Sequence, residues 1–154
     1  MTEIARDMVE SVAQRLADRE EAIRAVRAVL RYFGGQLVYF PFARADAGSK
    51  QLTRMRDVLA DEIGDGEADR FVEAWTQYFG GSQMYMPLEH KAFRDEIADE
   101  IYERYDGTMD RMAELCQEYR TSYVNVYRLY HLGRERKASQ NTRQRDLFEL
   151  EEKR

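Results

Sequence analysis

The sequence predicts a mainly α-helical protein. It has a helical N-terminal domain with two short β-strands, which form a two-stranded antiparallel ribbon, followed by a C-terminal helix-turn-helix. Three observations predict this fold class. Apolar residues recur at helical spacing along most of the chain. A ten-residue motif that contains a Gly-Gly pair and ends in proline occurs twice. Two short helices with cap residues then follow at the spacing of a helix-turn-helix.

An internal duplication organises the first 88 residues. Residues 32–41 are YFGGQLVYFP and residues 78–87 are YFGGSQMYMP, so six of ten positions are identical at an offset of 46 residues. Each repeat, about 3–41 and 50–87, is predicted as two helices, a Gly-Gly stop, a short strand and a proline. A lone short strand is unstable, so the strands pair within one chain or across two chains.

Helical periodicity justifies the helices of each repeat. The apolar positions of the first repeat are Ile4, Met8, Val12 and Leu16, then Ile23, Val26, Leu30 and Phe33. Those of the second are Leu52, Met55, Leu59 and Ile63, then Phe71, Val72, Trp75 and Phe79. Asp18 and Glu21 have the spacing of a cap pair at the start of a helix.

The C-terminal domain is predicted over residues 89–137, with a charged tail over 138–154. A first helix ends at Gly107, Thr108 caps a second, and Ser122 caps a third that ends at Gly133. Arg120 stands in the turn where a glycine is common, so either the backbone there is left-handed or the turn has a different geometry. An acidic stretch over residues 95–103 is predicted as a solvated face.

Charge is distributed unevenly along the chain. The net charge of -5 divides into -9 for residues 1–118 and +4 for residues 119–154. A local basic stripe can hold phosphates whatever the overall charge. On the free face of the third helix, amide and guanidinium groups suit base edges and phosphates. The candidate DNA-binding residues there are Ser122, Tyr123, Val124, Asn125, Tyr127 and Arg128, with Arg134, Arg136 and Lys137 as phosphate anchors.

Residues 66–137 resemble the Mor/C family of phage transcription activators. The resemblance is carried by residues 80–87 (GGSQMYMP), the helix up to Tyr105, and then Gly107, Glu114, Leu115, Tyr119, Ser122 and Val126-Tyr127-Arg128. It implies a DNA-binding homodimer with a ribbon between subunits, helix-turn-helices in the major groove and action on RNA polymerase. It also implies that Gln83 and Tyr85 lie near the minor groove, that Gly80 and Gly81 let the arm adjust, and that Tyr123, Asn125 and Arg128 lie on the reading helix.

The extra copy departs from that family pattern, which has one strand per chain. Leu37 stands where the second copy has Gln83, while Tyr39 and Pro41 match their counterparts. The first copy is therefore a candidate structural mate that completes the ribbon within one chain. In that case the dimer axis that the resemblance implies is in doubt, because one chain would carry both strands of the ribbon but a single helix-turn-helix.

Other functions have weaker support in the sequence. No phosphate loop, nucleophile elbow or zinc spacing points to an enzyme or a cofactor, and the single cysteine and lack of a signal segment favour the cytoplasm. The alternative is an adaptor that binds RNA polymerase or the replication sliding clamp without reading DNA. Gln144, Leu147 and Phe148 resemble a bacterial clamp-binding peptide. The alternative is a last helical turn that packs Leu147, Phe148 and Leu150 on the body of the protein.

Overall fold

The computed structural model describes residues 1–42 and 49–152. Residues 43–48 and the last two residues of the predicted tail, 153 and 154, lie outside the described residues. The chain divides into two compact units, Met1–Phe93 and Arg94–Arg154. The predicted domain boundary after residue 88 lies five residues before this division. No helix in the described ranges is long and apolar enough to cross a membrane.

The N-terminal unit contains five helices and two strands within its described residues. In chain order these are α1 (Glu3–Ala13), α2 (Arg19–Phe33), β1 (Leu37–Phe40), α3 (Lys50–Ile63), α4 (Asp65–Phe79), β2 (Ser82–Tyr85) and α5 (Glu89–Ala92). Asp18 caps α2, because its side chain accepts a hydrogen bond from the backbone N–H of Glu21 at 2.8 Å. The mainly helical fold class with one antiparallel ribbon is confirmed.

The duplication is visible in the secondary structure and in its side-chain contacts. α4 begins and ends 46 residues after α2. Glu21 pairs with Arg24 in α2, and the equivalent Glu67 and Arg70 pair in α4. Each helix ends at the first glycine of its Gly-Gly pair, and the second glycine takes a φ of 80° in one copy and 75° in the other. Glycine adopts this left-handed backbone without a steric penalty, so both stops form in the same way.

The two strands pair with each other inside the chain. β1 is antiparallel to β2, with Leu37 opposite Tyr85 and Phe40 opposite Ser82. The inner face rests on the helices of this unit, where the ring of Phe40 lies 5.5 Å from that of Trp75 and both side chains are buried. Of the two pairings that the sequence left open, the structure has the one within a single chain.

Proline substitutions in β1 should show how much one backbone hydrogen bond of the ribbon contributes to the free energy of unfolding, apart from the side chains. Met86 N–H donates to the Gln36 carbonyl at 2.9 Å, so by the antiparallel alternation Val38 is hydrogen-bonded to its partner and Tyr39 is not. We expect Val38→Pro to lower the free energy of unfolding by about 1–2 kcal/mol, because it deletes a ladder donor. Because Val38 is buried and Tyr39 is exposed, each proline is compared with alanine at the same position, and the additional loss should be smaller for Tyr39→Pro than for Val38→Pro in a urea titration. Equal additional losses would contradict the alternation.

The C-terminal unit consists of α6 (Arg94–Arg104), α7 (Met109–Glu118) and α8 (Tyr123–Glu152). The predicted end of the last helix at Gly133 is wrong, since α8 continues through that residue and through residues 138–152, where the sequence predicted a tail. Gly133 is instead buried where α8 crosses α6. A Cβ there would overlap the carbonyl oxygen of Ala98 and lie 2.7 Å from the Cβ of Tyr102. This glycine therefore permits close helix packing.

Candidate nucleic-acid interface

Residues 119–122 connect α7 to α8 in a short turn. Arg120 has a φ of 49°, so of the two alternatives that the sequence left open the turn has the left-handed one, and no other non-glycine residue in the described ranges has a positive φ. The N–H of Thr121 donates to the carbonyl of Cys116 at 3.0 Å and closes the turn. Two helices with this connection are consistent with a helix-turn-helix.

Cap residues set where both helices begin. Thr108 caps α7 by accepting a hydrogen bond from the N–H of Arg111 at 3.2 Å. Ser122 Oγ accepts one from the N–H of Asn125 at 3.3 Å, as the sequence predicted for the start of α8. The half-buried Asn125 also donates its side-chain amide to Thr121 Oγ1 at 2.8 Å. The side-chain amide nitrogen of Asn125 is therefore already engaged in a hydrogen bond within the protein.

Tyr119 belongs to a polar cluster behind the turn, and no sequence pattern indicates this cluster. The buried Tyr119 hydroxyl donates to Glu100 at 2.6 Å, and Arg104 donates to both carboxylate oxygens of Glu118 at 2.8 and 2.6 Å. Burial, together with the hydrogen bond to Glu100, raises the pKa of Tyr119 well above its ordinary value. The cluster joins α6 to the end of α7, which fixes the position from which α8 starts.

The first two turns of α8 present an exposed face, which we call the reading face: Tyr123, Val124 and Arg128. Tyr123 is 44% and Val124 is 56% exposed, and the side chain of Arg128 is exposed four residues further on. Residues four apart lie on the same side of a helix, so Val124 and Arg128 share one surface. The opposite side of this segment is buried through Val126 and Leu129.

Tyr127 is tied to the neighbouring tyrosines. The Tyr105 hydroxyl donates to the Tyr127 hydroxyl at 3.4 Å, and the rings of Tyr123 and Tyr127 lie 5.1 Å apart. Hydrogen bonds from Tyr105 and Tyr123 lower the pKa of Tyr127, while the hydrogen bond to Tyr127 raises the pKa of Tyr105 to about 12. Tyr127 is half-buried and supports the reading face from the side.

The predicted phosphate anchors fall into two classes. Arg136 donates to both carboxylate oxygens of Asp99 at 3.0 and 3.2 Å, and Lys137 donates to Glu103 at 2.8 Å. These hydrogen bonds raise the pKa of Arg136 and of Lys137. The acidic stretch on α6 is therefore engaged in ion pairs with α8, which corrects its prediction as a plain solvated face. Both cations already have acidic neighbours within the chain.

Arg128 and Arg134 form the other class. Both side chains are exposed, and no hydrogen bond or ion pair joins either of them to another residue of 1–42 or 49–152. An exposed guanidinium without a carboxylate partner keeps its charge available for a ligand. These two arginines are better placed to meet phosphates or bases than Arg136 and Lys137.

The ribbon has an exposed face in the other unit, which we call the ribbon face: Leu37, Tyr39, Gln83 and Tyr85. All four side chains are exposed, and the register places Leu37 opposite Tyr85 and Tyr39 opposite Gln83. The face carries no charged residue. Gly80 ends α4 and Gly81 begins the turn into β2, so the predicted hinge residues stand where helix becomes strand.

The clamp-like motif lies on the distal part of α8. Leu147 and Phe148 are 62% and 65% exposed, and Gln144 is also exposed. The motif is helical and does not pack against the rest of the described chain. The alternative interpretation, a last turn packed on the body, is therefore wrong.

Comparison with known proteins places the chain in a family. The model of the Mor transcription activator family matches residues 43–147. The match covers the second repeat and the C-terminal unit up to the distal part of α8, and the first repeat lies outside it. No curated protein and no solved structure matches the chain. Since the match extends over more than half of the sequence, the chain belongs to the Mor transcription activator family.

Proposed function

We propose that this protein is a sequence-specific, DNA-binding transcription regulator, activator-like and of phage or prophage type. In this proposal the N-terminal part of α8 enters the major groove and reads bases with the reading face. The observation that carries the proposal is the arrangement of Arg128 and Arg134. Both arginines are exposed, have no acidic partner among residues 1–42 and 49–152, and lie on α8 after a connection that is consistent with a helix-turn-helix, within a chain of the Mor family.

The chemistry of the reading face supports base contact. A guanidinium can form two hydrogen bonds with guanine in the major groove, and the apolar Val124 can contact a thymine methyl group. Asn125 is half-buried and uses its amide group on Thr121, so we assign it to positioning the helix start. Arg134 lies further from the start of α8 and is the candidate for a phosphate contact.

The ribbon face supports a second, uncharged contact with DNA. Glutamine can read the minor groove, and apolar side chains can insert between base steps there. Gln83 and Tyr85 supply these chemistries on β2. Gly80 and Gly81 would then act as the hinge of the ribbon, because glycine tolerates the backbone changes that docking requires.

Replacing the two arginines one at a time should separate base reading from phosphate binding. We expect Arg128→Ala to weaken binding to a selected site by ~1–3 kcal/mol and to relax the preference at one base pair. Arg134→Ala is the matched control: it should weaken binding to all sequences equally and reduce the slope of log K against log salt by about 1. Gel shifts on a site selected from a randomised pool measure both effects. If no sequence is selected at low salt, the proposal fails.

A second candidate function is an adaptor that binds RNA polymerase or the sliding clamp without reading DNA. The exposed Leu147 and Phe148 favour it, since two large apolar side chains on a solvated helix are available to fill an apolar cleft. A pull-down from a bacterial lysate with and without nuclease distinguishes the candidates. Capture that survives nuclease and disappears in Leu147→Ala/Phe148→Ala would favour the adaptor.

A further inference from the structure

The interface between the two repeats has the form of a symmetric dimer interface, although it lies within one chain. In a two-fold dimer, residue i of one subunit contacts j of the other and j contacts i. Here Val38 and Met84, which are equivalent positions of the two repeats, pair with each other. Gly35 N–H donates to the Met86 carbonyl at 2.8 Å, and the equivalent Gly81 donates to Phe40 at 2.7 Å. The ribbon therefore has a local two-fold axis through its central pair.

The glycines that end α2 and α4 follow the same symmetry. A Cβ on Gly34 would lie 3.1 Å from the carbonyl oxygen of Pro87, and a Cβ on Gly80 would lie 3.1 Å from that of Pro41. Each helix end thus approaches the proline of the other repeat at the same distance. The inner face of the ribbon is already covered by helices of the same chain, so a second copy is not needed to complete it.

The C-terminal unit does not share this duplication. Within residues 1–42 and 49–152, α7 and α8 each occur once, whereas the helix-helix-strand scaffold occurs twice. The ribbon face is also unequal in its two halves, since Leu37 occupies the position equivalent to Gln83 while Tyr39 and Tyr85 match. A regulator that reads a palindrome presents two equivalent reading helices about a two-fold axis. The described residues of one chain contain one such helix, α8.

We propose that this protein recognises a DNA site without two-fold symmetry and binds it as a single copy. The inference rests on the proposed function, because it specifies the class of DNA that the reading face would take. Two copies of a chain with one strand each would have to associate to form this scaffold, whereas here a single chain forms it. Stable folding therefore does not require a second chain with its own reading helix. The bound DNA sequence then corresponds to one half of a palindromic site, and the protein binds it in one direction.

Mixing two lengths of the protein tests this copy number. The full chain and the full chain fused to a larger carrier domain are combined and shifted on a duplex carrying the selected site. Single-copy binding gives only the two shifts seen with each protein alone. A third, intermediate shift requires two copies on one DNA and overturns the inference, while it leaves the proposed function intact.

The selected sequence supplies an independent readout. We expect a non-palindromic site, a hydroxyl-radical footprint that is unequal on the two sides of its centre, and a 1:1 mass by light scattering. A duplex with the inverted repeat of the site should bind within about twofold of the single site, which is the statistical factor; a dimer would gain about 100-fold or more from the second half-site. A palindromic site or that gain would overturn the inference. Failure to select any sequence would instead reject the proposed function, and this inference with it.

Discussion

Gly133→Ala should destabilise the C-terminal unit while the N-terminal unit stays folded. The added methyl group would overlap the carbonyl oxygen of Ala98 and lie 2.8 Å from its carbonyl carbon, well inside the ~3.5–4.0 Å separation of non-bonded carbons. Two of the three close atoms belong to the backbone of α6, so a rotamer change cannot relieve the contact. We expect a loss at or above ~3 kcal/mol, the upper end for overpacked cores, and a larger loss for Gly133→Val.

Two signals measure this effect separately in the two units. The only tryptophan, Trp75, is buried in the N-terminal unit and reports its folding by fluorescence. Far-ultraviolet circular dichroism reports the helices of both units. We expect part of the helical signal to melt early in the variant while the fluorescence transition is unchanged. Gly66→Ala is the control: a Cβ there meets no atom within 4 Å, so it should stabilise the protein by ~0.4–1 kcal/mol. If both glycine variants behave alike, the close approach of α6 and α8 is not what Gly133 provides.

The ribbon could be predicted because its signal is local and occurs twice. Gly-Gly, a short apolar run and proline specify a helix stop, a strand and its end from neighbouring residues alone. The duplication then implied that two strands could pair, and the observed central pair, Val38 and Met84, joins two positions that the 46-residue offset makes equivalent. The sequence did not distinguish pairing within a chain from pairing across chains, since both satisfy the same hydrogen bonds.

Gly133 shows where sequence patterns are ambiguous. A glycine after a helical pattern can either end the helix or allow another helix to pack closely against it. The local sequence is the same in both cases. The residues that follow are strongly polar, so no apolar periodicity signals that the helix continues. The deciding contact is with Ala98, 35 residues earlier in the chain, which no local pattern reveals.

The ion pairs of Arg136 and Lys137 could not be predicted for a similar reason, because they join residues that are far apart in the sequence. Arg136 and Lys137 belong to a basic stretch in the sequence, and Asp99 and Glu103 to an acidic one, and nothing local to either stretch indicates that the two meet. α6 and α8 bring them together across 34 to 37 residues of chain. Arg128, which was predicted for the site from its place on α8, has no such partner in the described residues. The reading face is therefore narrower than the basic stretch, and its charge is concentrated on fewer residues.

Glu89→Ala should cause the second large loss of stability. The Glu89 side chain is 3% exposed and accepts hydrogen bonds from Arg27 at 2.9 Å and from Arg31 at 3.0 and 3.1 Å. The hydrogen bond to Glu89 raises the pKa of Arg31, which means that the carboxylate favours the charged guanidinium. Removing one partner of a buried ion pair leaves the remaining charge with uncompensated desolvation and costs ~3–5 kcal/mol. We expect about 3 kcal/mol, because Arg31 is 38% exposed and can recover part of its hydration.

A double-mutant cycle identifies the ion pair as the cause. Arg31→Ala alone removes one cation but leaves Glu89 paired with Arg27, so it should cost less than Glu89→Ala. The two losses should not add in the double variant, since the substituted groups contact each other. Glu89→Gln keeps the size of the side chain and removes its charge, so it should lie between the wild type and Glu89→Ala in urea unfolding followed by Trp75 fluorescence. Glu89 lies on α5, just after the second repeat, and its partners lie on α2 of the first repeat, so this ion pair fastens the segment after the second repeat to the first. Additive losses would show that Glu89 and Arg31 act independently, and their ion pair would then not be what fastens these two segments.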